Sequence, residues 1–269
     1  MRVFIAALTI VVPALAEAQT PAEAAPDDAA AIAKKLANPI SNLVSVPIQL
    51  NWEQGVGPAE QTRFVMNVQP VMPFSVNEDW NVIARVIFPF VSQPALTAGG
   101  TPAFGVSDVL VSAFLSPKSS PFIWGVGPVL SLPSTTQNTL GTEKWSGGPT
   151  VVVLKQSGQV TYGALWNQVW SFAGNAARDD VSQMYLQPFV SYNTKSLMTL
   201  SLASESTANW KAPDHKWTVP IIASVSQLAS FGTFPASYSI GLGVFAAGPN
   251  NGPSWKLRAA LTLILPKKG

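Results

Sequence analysis

The sequence predicts an all-β fold, a closed antiparallel transmembrane β-barrel of about twelve strands with a short N-terminal helix. Three observations lead to this prediction. From residue 41 onward, hydrophobic and polar residues alternate with a period of two. Long connections alternate with short ones, and aromatic residues collect near the ends of the predicted strands.

Composition narrows the class of protein. Of the 269 residues, 47% are hydrophobic and only 11% are charged, less than half the charged share of an average soluble domain. The net charge of +2 and the lack of a basic stripe argue against a nucleic-acid partner. The chain has no cysteine, which excludes disulfides and thiolate metal sites.

The N-terminus predicts export, with residues 1–18 as a signal peptide. Arg2 precedes an apolar run, Val3–Leu15, and the small residues Ala16 and Ala18 suit cleavage after either one. The alternative is a short membrane anchor, but the run is well below the roughly 20 residues that span a bilayer.

Residues 19–40 are predicted to be a linker followed by a short helix. The helix covers Ala29–Pro39, AAAIAKKLANP, and ends at Asn38 and Pro39. Two interpretations of this segment stay open, an ordered periplasmic lead-in and a plug or gate inside the barrel. Residues 41–269 are predicted to form the barrel itself.

The first predicted strand shows the pattern that recurs along the chain. In Asn42–Glu53, NLVSVPIQLNWE, every second residue from Val44 to Trp52 is apolar. Because no later segment is long enough for a membrane helix, only a closed barrel would let such strands cross a membrane. Two segments, Ser146–Gln156 and Val160–Phe172, do not separate into a polar and an apolar face.

The connections follow the long-outside, short-periplasmic alternation of outer-membrane barrels. A longish loop is predicted at Gln54–Gln61, and long loops also at residues 92–105, 133–145, 173–180 and 208–215. Short turns are predicted at residues 77–79, 118–121, 157–159 and 194–195. The Leu228–Pro235 connection is too long for this rule and is its one exception.

Aromatic residues at strand ends indicate the girdles of a membrane barrel, although they could also cap a soluble core. They are Trp52, Trp80, Phe90, Trp170, Phe172, Trp210, Trp217 and Trp255. Prolines inside the strands oppose the prediction, because each removes a ladder donor and a closed barrel has no free edge. These are Pro47, Pro70, Pro73, Pro89, Pro128, Pro149, Pro188 and Pro220; bulges near the rims could absorb some of them.

If the apolar faces meet lipid, a set of polar residues must face the lumen, since a cation facing lipid at mid-membrane costs about 2–4 kcal/mol. The candidate lumen-lining and selectivity residues are Arg63, Asn67, Gln69, Arg85, Asp108, Gln183, Gln187, Glu205, Lys256 and Arg258. They would either tune the selectivity of a pore or form a network that fills a closed barrel. Inward glycines at 125, 127, 241 and 243 leave room, which favours a channel, open or plugged.

No catalytic residue, metal or cofactor is expected, and the chain is predicted not to be an enzyme. The sole histidine, His215, lies in a predicted loop, and neither Ser204 nor Ser206 stands on a strained nucleophile turn. The acidic pairs at residues 78–79 and 179–180 lack the spaced oxygens of a calcium site.

Short motifs along the chain resemble a known family. They are KLANPI, SVP, QPVMPF, EDWN, SPK, WGVGP, GGPT, LQPF and WTVP, spread from Lys35 to Lys267. In order and spacing they are similar to the outer-membrane proteins grouped as the MetA-pathway-of-phenol-degradation family, whose members are often labelled transporters. The resemblance implies an outer-membrane barrel that passes small molecules, aromatic or apolar ones among them. It carries over no catalytic residues, and this chain ends in LILPKKG where such proteins often end in an aromatic residue.

The expected function is therefore a porin-like channel in the bacterial outer membrane, with membrane lipid and small solutes as partners. Two alternatives stay open, a barrel enzyme that acts on lipid through His215 and a non-conducting structural barrel. The sequence predicts neither a particular substrate nor an oligomeric state.

Overall fold

The computed structural model describes residues 26–231 and 234–265 and shows a closed twelve-strand antiparallel barrel preceded by one helix, as predicted. The predicted signal peptide lies outside the described residues. The elements are α1 (Pro26–Leu36), β1 (Val44–Val56), β2 (Gln61–Val68), β3 (Val71–Ser75), β4 (Trp80–Gln93), β5 (Ala103–Val106), β6 (Val109–Pro117), β7 (Ile123–Leu132), β8 (Lys144–Ser157), β9 (Val160–Gly174), β10 (Ser182–Asn193), β11 (Met198–Ser204), β12 (Ser206–Asn209), β13 (Trp217–Phe231), β14 (Phe234–Ala247) and β15 (Trp255–Leu265).

Twelve barrel strands arise from fifteen segments because three of the strands are interrupted, between β2 and β3, β5 and β6, and β11 and β12. The ring closes where β1 pairs with β15, in register from Val44 opposite Leu265 to Gln54 opposite Trp255. The start of β1 and the end of β15 therefore share one rim, here called the inner rim, and the opposite rim is called the outer rim. No helix among residues 26–231 and 234–265 is long and apolar enough to cross a membrane.

The barrel is apolar outside and largely polar inside. On the outer surface Leu202, Ile240 and Leu242 are each about half exposed, whereas Asn51 and Thr161 on the inner surface are almost fully buried. A water-soluble protein distributes these residues the other way round. Since all strand edges are paired around the ring, this surface suits the hydrocarbon of a bilayer.

Aromatic side chains mark both ends of the apolar surface. Trp145, Trp170, Phe172, Trp210, Trp217 and Trp255 lie towards the outer rim, and all are partly exposed. At the inner rim Trp80 and Trp124 meet edge to face, with ring centroids 5.9 Å apart. Amphipathic rings prefer the headgroup level, so the two bands are where the girdles of a membrane barrel belong.

Two connections differ from the sequence-based expectation. Strand β13 continues to Phe231 and β14 begins at Phe234, in register from Ala223 opposite Leu242 to Phe231 opposite Phe234, so the exception predicted at Leu228–Pro235 was wrong. Residues 228–231 and 234–235 extend the two strands rather than form a loop. Strand β1 also continues to Val56, which shortens the predicted Gln54–Gln61 loop to residues 57–60.

The strand interruptions explain several of the prolines. Pro70 falls in the gap between β2 and β3. The carbonyl of Pro89 accepts a hydrogen bond from the Ser107 amide (2.9 Å) in the gap between β5 and β6, and that of Pro220 accepts one from Glu205 (3.4 Å) between β11 and β12. Because proline has no N–H to donate, the regular ladder breaks beside it and the remaining carbonyls find partners in the irregular segment.

Two more of the prolines inside the strands each follow a glycine. Pro128 and Pro149 stand opposite each other on β7 and β8, and on their far sides the ladders to β6 and β9 skip both prolines and the glycines before them. A Cβ on Gly127 would collide with the carbonyl of Ala113, and one on Gly148 with that of Gln168. Glycine permits this close approach of neighbouring backbones where the proline has broken the ladder.

Candidate functional site

Between the described residues, the lumen holds two chambers that share part of their lining. An inner chamber of about 320 Å³ lies towards the inner rim, and an outer chamber of about 290 Å³ lies towards the outer rim. Five residues line both chambers: Gln49, Gln69, Arg85, Gln187 and Glu205. We call this set the waist, since any solute that passes from one chamber to the other must pass these side chains.

A chain of hydrogen bonds fixes one side of the waist. Arg85 Nη2 donates to Gln69 Oε1 (2.6 Å), and Gln69 Nε2 donates to Gln49 Oε1 (2.9 Å). The interruption after β2 positions Gln69, whose backbone N–H donates to the Pro47 carbonyl (2.8 Å). Among the described residues Arg85 forms no ion pair, and Glu205 is the other charged residue of the waist.

The other side is an ionic ladder, defined as Arg63, Glu53, Lys256, Glu205 and Arg258. Arg63 Nη2 lies 2.6 Å from Glu53 Oε2, and Lys256 Nζ lies 3.7 Å from Glu53 Oε1 and 3.6 Å from Glu205 Oε2. Four members of the ladder lie on β1, β2 and β15, and with Glu205 the ladder runs from the outer rim to the waist. Alternation of charge allows five ionised groups to share a poorly hydrated wall.

Arg258 ends the ladder with a bidentate contact. Its Nη1 and Nη2 donate to the two oxygens of Glu205, each at 2.7 Å, and its Nε donates to Asn51 Oδ1, also at 2.7 Å. Glu205 occupies the gap between β11 and β12, where the strand bends. The ladder and Arg85 together hold four cations and two carboxylates, an excess of two positive charges along this part of the lumen wall.

The candidate residues from the sequence divide into three groups. Gln69, Arg85, Gln187, Glu205 and Arg258 line the inner chamber or the waist. Asn67 and Gln183 line the outer chamber, and Arg63 and Lys256 belong to the ladder above it. Asp108 lies apart from the waist: its Oδ2 accepts hydrogen bonds from the Thr142 amide (2.6 Å) and hydroxyl (2.7 Å), fastening the 133–143 loop.

Sequence reasoning missed three residues of the pathway, Gln49, Glu53 and Tyr185. Gln49 and Glu53 belong to the polar face of the first predicted strand, a signal that was present in the alternation. Tyr185 follows Gln183 at a spacing of two, but an aromatic residue between two glutamines does not by itself indicate the lumen.

The inner mouth is filled by residues 33–41, here called the inner plug. Ile40 is 4% exposed and packs among Val71, Ile83, Phe114, Val152, Leu154 and Leu165. The Ile40 amide donates to Asn38 Oδ1 (3.0 Å), and Gln156 Nε2 donates to the Lys34 carbonyl (2.8 Å). The segment therefore lies inside the barrel, as the plug interpretation of the sequence has it, and not as a lead-in outside.

The apolar seat of Ile40 explains the two ambiguous strands. Val152 and Leu154 of β8 and Leu165 of β9 face inward, so both faces of these strands are apolar. It also explains Gly125, since a Cβ there would lie 3.1 Å from Phe114 Cβ and 3.2 Å from Ile40 Cδ1. The space beside this glycine is thus filled by the plug rather than left open.

The outer mouth is narrowed by the 133–143 loop. Leu140 is buried against Val91 and Ala103, with Val65 packed on the same cluster. Gln93 Nε2 donates to the Thr139 carbonyl (3.4 Å), and Ser107 donates to the Leu140 carbonyl. Together with the Asp108 contact, these bonds hold the loop over one side of the opening.

The residues of the enzyme alternative do not assemble into a nucleophile–base pair. His215 is exposed in the connection between β12 and β13, while Ser204 and Ser206 hydrogen-bond to each other (2.7 Å). No hydrogen bond of the described residues joins the histidine to a serine. Among residues 26–231 and 234–265, no group of three or more acidic or histidine side chains could hold a metal ion.

Known proteins resemble this chain in structure but not in sequence. No family model matches the sequence, and no curated protein sequence matches it. The COG4313 outer membrane channel from Pseudomonas putida F1 aligns with a TM-score of 0.65 and 15% identity over 83% of this chain and 96% of that one. The NanC porin aligns with a TM-score of 0.54 and 10% identity over 82% and 99%. An outer membrane phospholipase from Salmonella typhi reaches only 0.44, too low to support an argument. At these identities the likeness is one of fold, and the fold is that of outer membrane channels and porins.

Proposed function

We propose that this protein is a bacterial outer-membrane channel for small polar solutes, exported by a cleaved signal peptide, and a member of the MetA-pathway-of-phenol-degradation family. The observation that carries the proposal is the pair of lumen chambers joined at the waist. A barrel with a purely structural role has no need of two chambers that share charged and amide side chains. The apolar outer surface between two aromatic bands supports placement in a membrane.

The solute preference follows from charge. The excess of two positive charges that the ladder and Arg85 place along the lumen wall attracts anions and repels cations. Arg85 is the central residue, because it lines both chambers without an ion-pair partner among the described residues. The charged, amide and hydroxyl side chains that line both chambers favour polar solutes over the aromatic or apolar compounds that the family resemblance implies.

The proposal excludes catalysis by His215. Its exposed loop position offers neither a bound nucleophile nor a third group that would orient the ring. Hydrolysis of outer-membrane phospholipid by the purified protein, lost in His215→Ala, would overturn this part of the proposal.

Ion selectivity in planar bilayers tests the channel. We expect the refolded protein to pass chloride in preference to potassium, and Arg85→Ala to move the reversal potential towards zero. Lys211→Ala removes an equal charge from an exposed outer connection and serves as the control. Absence of current from the folded barrel at every applied voltage would instead favour the non-conducting structural barrel.

A further inference from the structure

Hydroxyl groups are concentrated on one wall of the inner chamber. The halves of β11, β13 and β14 nearest the inner rim form this wall. It carries Thr199, Ser201, Ser224, Ser226, Ser237 and Ser239. The opposite side of the lumen carries the apolar seat of Ile40. The free space of the chamber is therefore bounded by the inner plug on one side and by hydroxyls on the other.

One row of this wall leads directly to the ionic ladder. Ser191 stands opposite Ser201, and Ser201 stands opposite Ser224. Ser224 stands opposite Gly241, which stands opposite Arg258. The Ser201 and Ser224 hydroxyls lie 2.8 Å apart and hydrogen-bond to each other. A solute lying along the row would meet successive hydroxyls and then the charged waist.

Ser191 provides a second, independent observation. It is only 6% exposed and lines the inner chamber, yet its Oγ has no hydrogen-bond partner among residues 26–231 and 234–265. Its neighbours Val190 and Tyr192 point outward and are exposed, which fixes the serine on the lumen side. An unpaired buried hydroxyl costs free energy unless a bound molecule supplies the missing partner.

We propose that the inner chamber binds a small hydroxylated carboxylate, a molecule of the sugar-acid type, as it passes through the channel. The N–H groups of Arg85 that Gln69 does not engage receive the carboxylate, and the hydroxyl row at Ser191, Ser201 and Ser224 exchanges hydrogen bonds with the solute hydroxyls. The chamber volume of about 320 Å³ lies at the small end of the range for ligand pockets. This inference rests on the proposed channel function and specifies its substrate class.

A matched pair of solutes tests the inference. Gluconate and hexanoate are six-carbon monocarboxylates that differ in their hydroxyl groups. Each is added to both sides of a bilayer that holds the full chain, and the concentration that halves the chloride current is measured. We expect gluconate to reach half-block at a concentration at least tenfold lower than hexanoate.

Serine variants assign the effect to the chamber. Ser191→Ala and Ser224→Ala should each raise the half-block concentration of gluconate by about fivefold, the worth of one hydrogen bond, and leave that of hexanoate unchanged. Ser116→Ala is the control, because Ser116 is as buried as Ser191 but lines neither chamber. Equal block by the two acids, or variants that block like the wild type, would overturn the substrate class and leave the channel intact.

Calorimetry separates this failure from a failure of the channel. Gluconate is titrated into the full-length protein in detergent, where binding does not depend on conduction. Tighter binding of gluconate than of hexanoate, without any chloride current in the bilayer, would support the site and overturn the channel. Binding of neither acid would overturn the site.

Discussion

Arg258 holds Glu205 through two parallel hydrogen bonds of 2.7 Å, one to each carboxylate oxygen, inside a barrel whose outer surface is apolar. The side chains are only 11% and 19% exposed. A planar guanidinium fork matches a carboxylate in this way, and the low exposure of both side chains limits the access of water to them.

The first prediction concerns this pair. Glu205→Gln removes the ion-pair partner of Arg258 and leaves Lys256 with Glu53 alone, so we expect the barrel to lose about 3–5 kcal/mol of stability, the usual cost of breaking a buried pair. Urea unfolding of the detergent-solubilised barrel measures it. Asp214→Asn in an exposed connection should change stability by less than about 0.5 kcal/mol. The double variant Glu205→Gln/Arg258→Gln should recover part of the loss, and no recovery would contradict the pairing argument.

The second prediction concerns the inner plug. Ile40→Ala removes a buried side chain whose packing is worth about 2–5 kcal/mol, so the segment should leave the inner mouth more often. Single-channel recording should then show higher mean conductance. Ile32→Ala makes the same substitution upstream on α1 at a half-buried position and should conduct like the wild type. Identical conductance of both variants would mean that the plug does not limit flow.

The third prediction concerns the outer loop. Asp108→Asn weakens the two hydrogen bonds from Thr142, because a neutral acceptor binds less strongly than a carboxylate. We expect faster proteinase K cleavage within residues 133–143, read by mass spectrometry of the intact barrel. Asp179→Asn, an exposed acid in another outer connection, is the control. Cleavage at the wild-type rate would show that Asp108 does not fasten the loop.

The fourth prediction concerns the glycine–proline motifs. Gly127→Ala places a methyl group against the Ala113 carbonyl, which belongs to the backbone and cannot move aside cheaply. We expect the yield of refolded barrel, measured by its heat-dependent gel mobility, to fall severalfold. Gly248→Ala has open space around its Cβ and should refold normally. Normal refolding of Gly127→Ala would mean that β6 and β7 can separate there at little cost.

The sequence predicted the barrel because its strongest signal, alternation, survives in most strands. Alternation did not separate the two faces of a strand where its lumen side is apolar. Val152, Leu154 and Leu165 face inward only because Ile40 comes from a distant part of the chain to meet them. Alternation within a strand carries no information about that contact.

For the candidate site too, the sequence predicted the direction of the side chains but not their partners. The inward direction of Arg85, Glu205 and Arg258 follows from the pattern of each strand, so all three were found from the sequence. Their partners depend on the register between strands that are far apart in sequence. Asp108 illustrates the limit, since its partner is in a loop rather than on a neighbouring strand. No periodicity could have predicted its contact with Thr142.

The pairing of β1 with β15 joins the two ends of the barrel chain, and the ionic ladder crosses that seam, with Glu53 opposite Lys256 and Asn51 opposite Arg258. A slip of one residue there would turn Lys256 and Arg258 outward into acyl chains. The ladder therefore favours the observed register: a slip of one residue exposes both cations to lipid, and a slip of two moves Lys256 from its place opposite Glu53. That register can form only after β15 has reached the membrane.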